Sequence, residues 1–155
     1  TNDLAIKGTA EILDKTDKQD YICCAVGTGG TIAGIINTSD NKQKIIGFLA
    51  IKGFDTLQKD IENWTNKQNW KLTNDYCCGG YAKVNEELVA FIHQFNLAQN
   101  IPLDTVYTGK MMMGIFDLIG QDYFVKGSSI LAIHTGGLQG NKGMNERYGL
   151  NLPTK

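Results

Sequence analysis

The run Tyr21-Ile22-Cys23-Cys24-Ala25-Val26 is apolar, carries β-branched Ile22 and Val26, and leads directly into Gly27-Thr28-Gly29-Gly30-Thr31. Beyond the glycines, Ile32, Ile35 and Ile36 recur at helical spacing. A short apolar run reads as a buried strand, and a three-to-four period reads as a helix. The glycines therefore occupy a strand-to-helix turn, which commits this part of the chain to a β–turn–α unit. Such a turn aims backbone N–H groups and the positive end of a helix at one point, which suits a phosphate. Glycine permits close backbone approach and positive φ, and the hydroxyls of Thr28 and Thr31 add donors. A tight glycine turn without a ligand accounts for the same residues, so the motif alone leaves both readings open.

The pattern recurs along the chain. Ile45 to Ala50 is a second buried strand that ends at Ile51-Lys52-Gly53. Ile130-Leu131-Ala132-Ile133 is a third, followed by His134-Thr135-Gly136-Gly137, and Trp70-Lys71-Leu72 is a shorter strand candidate. Asn2 and Asp3 can cap a helix with Leu4, Ile6, Ala10, Ile12 and Leu13 at its apolar positions. A polar helix is expected from Asp55 to about Asn66, with Leu57, Ile61 and Trp64 on one face. Asn85 reads as an N-cap, Glu86 and Glu87 sit where the helix dipole favours them, and Val84 and Val89 are spaced as a hydrophobic staple. Leu88, Phe91, Ile92 and Phe95 then form an amphipathic stripe. Ile101 to Val106 is an extended approach that leads through Tyr107-Thr108-Gly109-Lys110 into a helix from Met111 to Ile119. That helix is apolar nearly all round and is expected to be buried. The last ten residues show no clear pattern.

Strands alternating with helices predict an α/β domain, three-layer αβα around a mostly parallel sheet. In a parallel sheet the carboxyl ends of the strands share one edge, where ligands bind. The turns at 27–31, 51–53 and 135–137 are thereby expected to converge. A chain of 155 residues is long enough for one domain with its own core.

The formal net charge is −1, and Arg147 is the single arginine among 15 basic residues. No basic stripe appears, so nucleic acid is not an expected partner. No apolar run reaches the roughly 18 residues of a membrane span. The four cysteines form two adjacent pairs, Cys23-Cys24 and Cys77-Cys78. Neighbours in a strand face opposite ways, and the spacing is not that of a zinc site, so no metal is expected. Buried free thiols point to a cytoplasmic protein.

Four segments in this order, Gly27-Thr28-Gly29-Gly30-Thr31, Gly79-Gly80-Tyr81-Ala82, Val106-Tyr107-Thr108-Gly109-Lys110 and His134-Thr135-Gly136-Gly137, carry a family resemblance. Together they resemble the D-cysteine desulfhydrase and 1-aminocyclopropane-1-carboxylate (ACC) deaminase family, pyridoxal 5'-phosphate (PLP) enzymes of the tryptophan-synthase-β fold. The resemblance runs from Thr1 to about Met144 and covers the C-terminal half of a family member, making residues 1–155 part of the large PLP-binding domain. It implies PLP as cofactor, a small amino acid as substrate, and a homodimer for the full-length protein. It also implies roles. Gly27, Thr28, Gly29, Gly30 and Thr31 would hold the cofactor phosphate. Tyr81 and Tyr107 would be the active-site tyrosines, Thr108 would approach the pyridine nitrogen, and Thr135 and Gly136 would form the substrate-side turn. Read as residues alone, either tyrosine could simply pack on the core, and Thr108 could cap the Met111 helix. Lys110 near a helix start reads as structural or solvated rather than as the Schiff-base lysine.

Two departures bear on activity. The family's Schiff-base lysine and its turn for the substrate carboxylate lie in the N-terminal half, and neither motif occurs here, so this chain alone is expected to be inactive. ACC deaminases carry a glutamate where this chain has Thr108. The resemblance therefore favours D-cysteine, converted to pyruvate, sulfide and ammonia, over ACC, converted to 2-oxobutyrate and ammonia. Two rivals remain. Thr28-Gly29-Gly30-Thr31-Ile32-Ala33-Gly34 also resembles a bacterial asparaginase motif, but His134-Thr135-Gly136-Gly137 lacks the aspartate of that family's second motif. The other rival is a non-catalytic phosphate-binding α/β module. His93 reads as a surface or packing residue, and His134 as a hydrogen-bonded strand-end residue.

Overall fold

The computed structural model describes residues 2–51 and 53–155, so Thr1 and Lys52, the middle of the turn after the second strand, lie outside the described residues. In chain order the elements are α1 (Asp3–Thr9), β1 (Tyr21–Val26), α2 (Gly30–Thr38), β2 (Lys44–Leu49), α3 (Phe54–Trp64), β3 (Trp70–Thr73), α4 (Glu86–Gln99), α5 (Thr108–Gly120), β4 (Ile130–Ile133) and α6 (Gln139–Tyr148). The four strands form one parallel sheet in the order β3-β2-β1-β4. The fold is α/β, as its alternating pattern predicts.

β1 is paired on both sides, Tyr21 with Lys44 of β2 and with Ile130 of β4. Its side chains alternate between two cores. Ile22, Cys24 and Val26 pack with Ile32, Ile35 and Ile36 of α2 and Leu57 and Ile61 of α3. Tyr21 and Cys23 pack on the other face with Phe48, Met111 and Ile115. The two cysteines thus point in opposite directions, as strand geometry requires. Both are buried and free. Gly47 lets the α2 layer close on the sheet, since a Cβ there would stand 2.5 Å from Ile32 Cδ1.

A third cluster joins α4, α5 and the C-terminal segment through Leu88, Ile92, Leu103 and Leu152. Val84 and Val89 both pack onto it. Asn85 caps α4 as expected, its side chain accepting from Leu88 N at 2.9 Å. Asn2 caps α1 in the same way through Ala5 N.

Three expectations need correction, and one element was not foreseen. The first helix ends at Thr9 and continues only as a 3₁₀ turn, leaving Leu4 78% exposed and Ile12 on the surface. α5 begins at Thr108, three residues early, because a carboxylate described below satisfies its first amides. That helix is not buried all round, since Phe116 and Ile119 are each 49% exposed. Finally, α6 forms in a stretch with no apolar stripe. Asn141 Nδ2 donates to Leu103 O at 2.9 Å and Pro153 O at 2.7 Å, and Asn145 exchanges two hydrogen bonds with the Leu152 backbone. Polar pairing to irregular chain docks this helix, and periodicity does not register that.

Candidate functional site

The strand-to-helix turn takes its shape at Gly29, which caps α2 with φ +84° and no side-chain cap. A Cβ at Gly29 would also stand 2.9 Å from Leu57 Cδ1 and 3.2 Å from Trp64 Cζ3, so both conformation and space demand glycine. The opening amides of α2 have no carbonyl within the helix to receive them. Thr9 Oγ1 lies against the turn from behind, its single proton shared among Gly30 O and Ile6 O, each at 3.0 Å, and Ala5 O at 3.1 Å.

A polar cleft of about 370 Å³ opens at the carboxyl ends of β1 and β4. Gly27, Thr28, Thr31, Tyr107, Thr135 and Gly136 line it, so six of the ten predicted site residues meet in one place. Gly29 and Gly30 are buried beneath it. The Tyr107 ring lies across the turn, so that a Cβ at Gly27 would meet its Cε1 at 3.3 Å. Tyr81 stands beside the cleft, 60% exposed, with its ring centroid 6.4 Å from that of Tyr107 and the planes at 67°. Partial burial, then Tyr81, then Asp104, raise the Tyr107 phenol above its ordinary pKa, which keeps Oη protonated.

Asp104, in the stretch read as a mere extended approach, organises this wall. It is 1% exposed. Its Oδ1 accepts from Val106 N and Tyr107 N, both at 2.7 Å. Its Oδ2 accepts from Thr108 N at 2.8 Å and Thr108 Oγ1 at 2.7 Å. The same carboxylate fills the space where a Cβ of Gly137 would stand, 2.7 Å from Oδ2. It thereby joins the start of α5 to the turn after β4. Thr108 is fully buried behind the cleft wall, and its one hydroxyl proton goes to Asp104. Thr108 is the first residue of α5 rather than its cap, and the capping is done by Asp104. Aspartate side chains commonly accept from the amide two residues on, as Asp104 Oδ1 does from Val106 N, and that turn preference is the signal that would have found it.

Lys110 is 1% exposed and donates to Cys77 O and Gly80 O, each at 2.9 Å. Of the expected alternatives, structural or solvated, it takes the first. Burial lowers its pKa, against the Cys78 and Cys77 thiols and Asp104. His134 pairs Nε2 with Pro102 O at 3.0 Å, and its Nδ1 accepts from Gly136 N at 3.1 Å, so it shapes the turn. His93 pairs with Leu150 O in the α4 packing. A larger groove of about 520 Å³ runs between the start of α4 and α6 along Val84, Val89, Ala90, Met144 and Leu150. It contains none of the predicted site residues and is mainly apolar, unlike the smaller polar cleft. Among the described residues no group of acidic, histidine and cysteine side chains is arranged to hold a metal. None of the described helices is long and apolar enough to cross a membrane.

No family model matches the chain. It is 30% identical over 152 residues to a Pyrococcus abyssi protein provisionally named 1-aminocyclopropane-1-carboxylate deaminase, covering 87% of this chain and 46% of that one. It is 42% identical over 71 residues to a D-cysteine desulfhydrase of Klebsiella pneumoniae strain 342, covering 46% of this chain and 22% of that protein. Among solved structures, an ACC deaminase homologue superposes with a TM-score of 0.79 at 27% identity, over 94% of this chain and 49% of its own. The chain spans about half the length, or less, of these relatives.

Proposed function

From a chain related over most of its length to the D-cysteine desulfhydrase and ACC deaminase family, we propose that it is the part of a PLP-dependent lyase or deaminase that seats the cofactor phosphate and carries the two active-site tyrosines. One observation carries the reading: the open amino end of α2 and the Tyr107 ring face a single polar cleft with the Thr135–Gly136 turn on its other side.

The residues present fit the phosphate end of PLP. Gly27 leaves room beside the Tyr107 ring, and the amides of the turn with Thr28 and Thr31 supply donors. When bound, PLP supplies an electron sink for a substrate that loses its Cα proton. Tyr107, kept protonated, holds a donor at Oη, and Tyr81 faces it as the second phenol. Thr108 Oγ1 donates to Asp104 Oδ2 and accepts from Asp104 N, and the residue is fully buried, so its part here is to brace the wall that carries Tyr107. Thr135 and Gly136 receive the substrate side.

No lysine lines the cleft among the described residues, and Lys110 is committed to two carbonyls. In our reading the anchoring lysine and the carboxylate-binding turn come from sequence outside this chain, residues 1–155 are part of the large domain, and the chain alone is inactive. We favour D-cysteine over ACC as substrate, a cytoplasmic location, and a homodimer for the whole protein. Absorbance and borohydride trapping test this. The chain with added PLP is expected to bind it without a reducible covalent band, and a protein extended to the relatives' length to show the band and release sulfide from D-cysteine. Phosphate binding without either activity in the longer protein would favour the non-catalytic module instead.

A further inference from the structure

Tyr81 sits on a turn that local preference does not hold. The backbone is left-handed at Cys78 (φ +52°), Gly79 (+91°), Gly80 (+132°) and Ala82 (+51°). Cys78 and Ala82 have no glycine freedom, and such runs persist where surroundings over-determine them. Two backbone bonds close the turn, Gly80 N to Cys77 O at 2.9 Å and Lys83 N to Gly80 O at 3.2 Å. The acceptors are the same two carbonyls that receive Lys110 Nζ. Lys110 therefore pins both closures at their shared oxygens, one on each side of the bend. It lies in α5 three residues after Tyr107, so the Tyr81 turn is tied to the helix start that carries Tyr107.

We propose that Lys110 is a positioning residue whose buried amine holds the 77–83 turn so that Tyr81 faces Tyr107. Its surroundings suit a clamp. The Cys77 and Cys78 thiols on the turn and the Asp104 carboxylate ahead of α5 are the titratable groups acting on it. An ammonium has three donors and no acceptor, so two carbonyls at 2.9 Å are good partners for it. The proposal rests on the PLP reading only for the work it gives Tyr81.

The test needs no cofactor, so its failure and that of the PLP reading are distinguishable. In Lys110→Met, amides of 77–83 are expected to exchange at least tenfold faster, with β1 and α4 within twofold of wild type. The Tyr107 phenol, followed by ultraviolet absorbance and isolated by difference from Tyr107→Phe, is expected to titrate at lower pH as Tyr81 leaves. In a Tyr81→Ala background Lys110→Met should move that titration no further. Unchanged exchange in 77–83, or uniform acceleration with the Tyr107 titration unmoved, overturns the proposal. If Lys110→Met does not fold, reductive methylation of the wild-type chain decides. Lys110 is expected to label at the opening rate of the Gly80 and Lys83 amides, and labelling as fast as at exposed lysines overturns it.

Discussion

The ring of Tyr81 meets that of Tyr107 edge-on at 6.4 Å, although 26 positions and all of α4 separate them in sequence. After burial, this neighbour is the next cause holding the Tyr107 phenol above its ordinary value. Tyr81→Phe removes the partner hydroxyl and should lower the Tyr107 pKa without changing the fold, as read by ultraviolet titration. The sign for stability follows. A phenol raised in the folded state stabilises the fold fully below its unfolded pKa of about 10, and that contribution is lost as pH rises through the folded value.

Asp104 holds three backbone amides and a hydroxyl from a buried position. Asp104→Ala strands these donors and is expected to cost about 3 kcal/mol or more in urea denaturation, since each orphaned buried group costs about 1–3 kcal/mol. Asp104→Asn keeps one acceptor oxygen and should cost about half as much.

Gly29→Ala places a Cβ at a left-handed residue and against Leu57, Ile61 and Trp64. A loss of about 2 kcal/mol is expected, and Gly53→Ala, also left-handed but with open space around it, should cost about 1 kcal/mol. Comparing the two melts separates crowding from backbone preference.

Burial pushes the Cys23 thiol up to about 12, against the opposing charge of Lys71. Folding stability is therefore full below the unfolded thiol value of about 8.5 and falls as pH rises from there towards the folded value. The urea midpoint at about pH 10 should lie below that at about pH 7.5, with a shallower fall in Cys23→Ala. At neutral pH iodoacetamide should modify the partly exposed Cys77, react more slowly at Cys78, whose thiol is pushed up by burial, and spare Cys23 and Cys24.

Thr31→Val deletes one donor at the cleft mouth. Affinity for pyridoxal phosphate should fall about tenfold, or about 1.4 kcal/mol, while affinity for phosphate-free pyridoxal stays unchanged. Equal loss for both would place Thr31 away from the phosphate.

The elements that lie in the sheet or cover it were legible because each carries its own period or cap. β1 shows an unbroken apolar run, and α4 shows Asn85 ahead of two glutamates and a stripe. The meeting of Gly27 and Thr135 was legible too, since parallel strands send their trailing turns to one edge, but Ile51 and Gly53, expected there by the same rule, do not line the cleft, and Tyr107 follows no strand and was indicated only by the family resemblance. What escaped were elements held by polar contacts across long separations. α6 is docked by Asn141 and Asn145 onto irregular backbone, and Asp104 works through amides that look like any others in a sequence. Lys110 could be read only as far as being structural or solvated, because the carbonyls it binds lie 30 and 33 positions away.

Gly29 touches the cleft turn with its backbone and the interior of α3 with the space its missing side chain leaves. Substitutions at Leu57, Ile61 or Trp64 would therefore be felt at the mouth of the cleft. A bulkier residue at Leu57 or Ile61 would press the loop outward, and a smaller one at any of the three would let it sink. Ligand affinity can thus be retuned from positions that no ligand touches, and selection at the cleft extends to a helix on the far side of the turn.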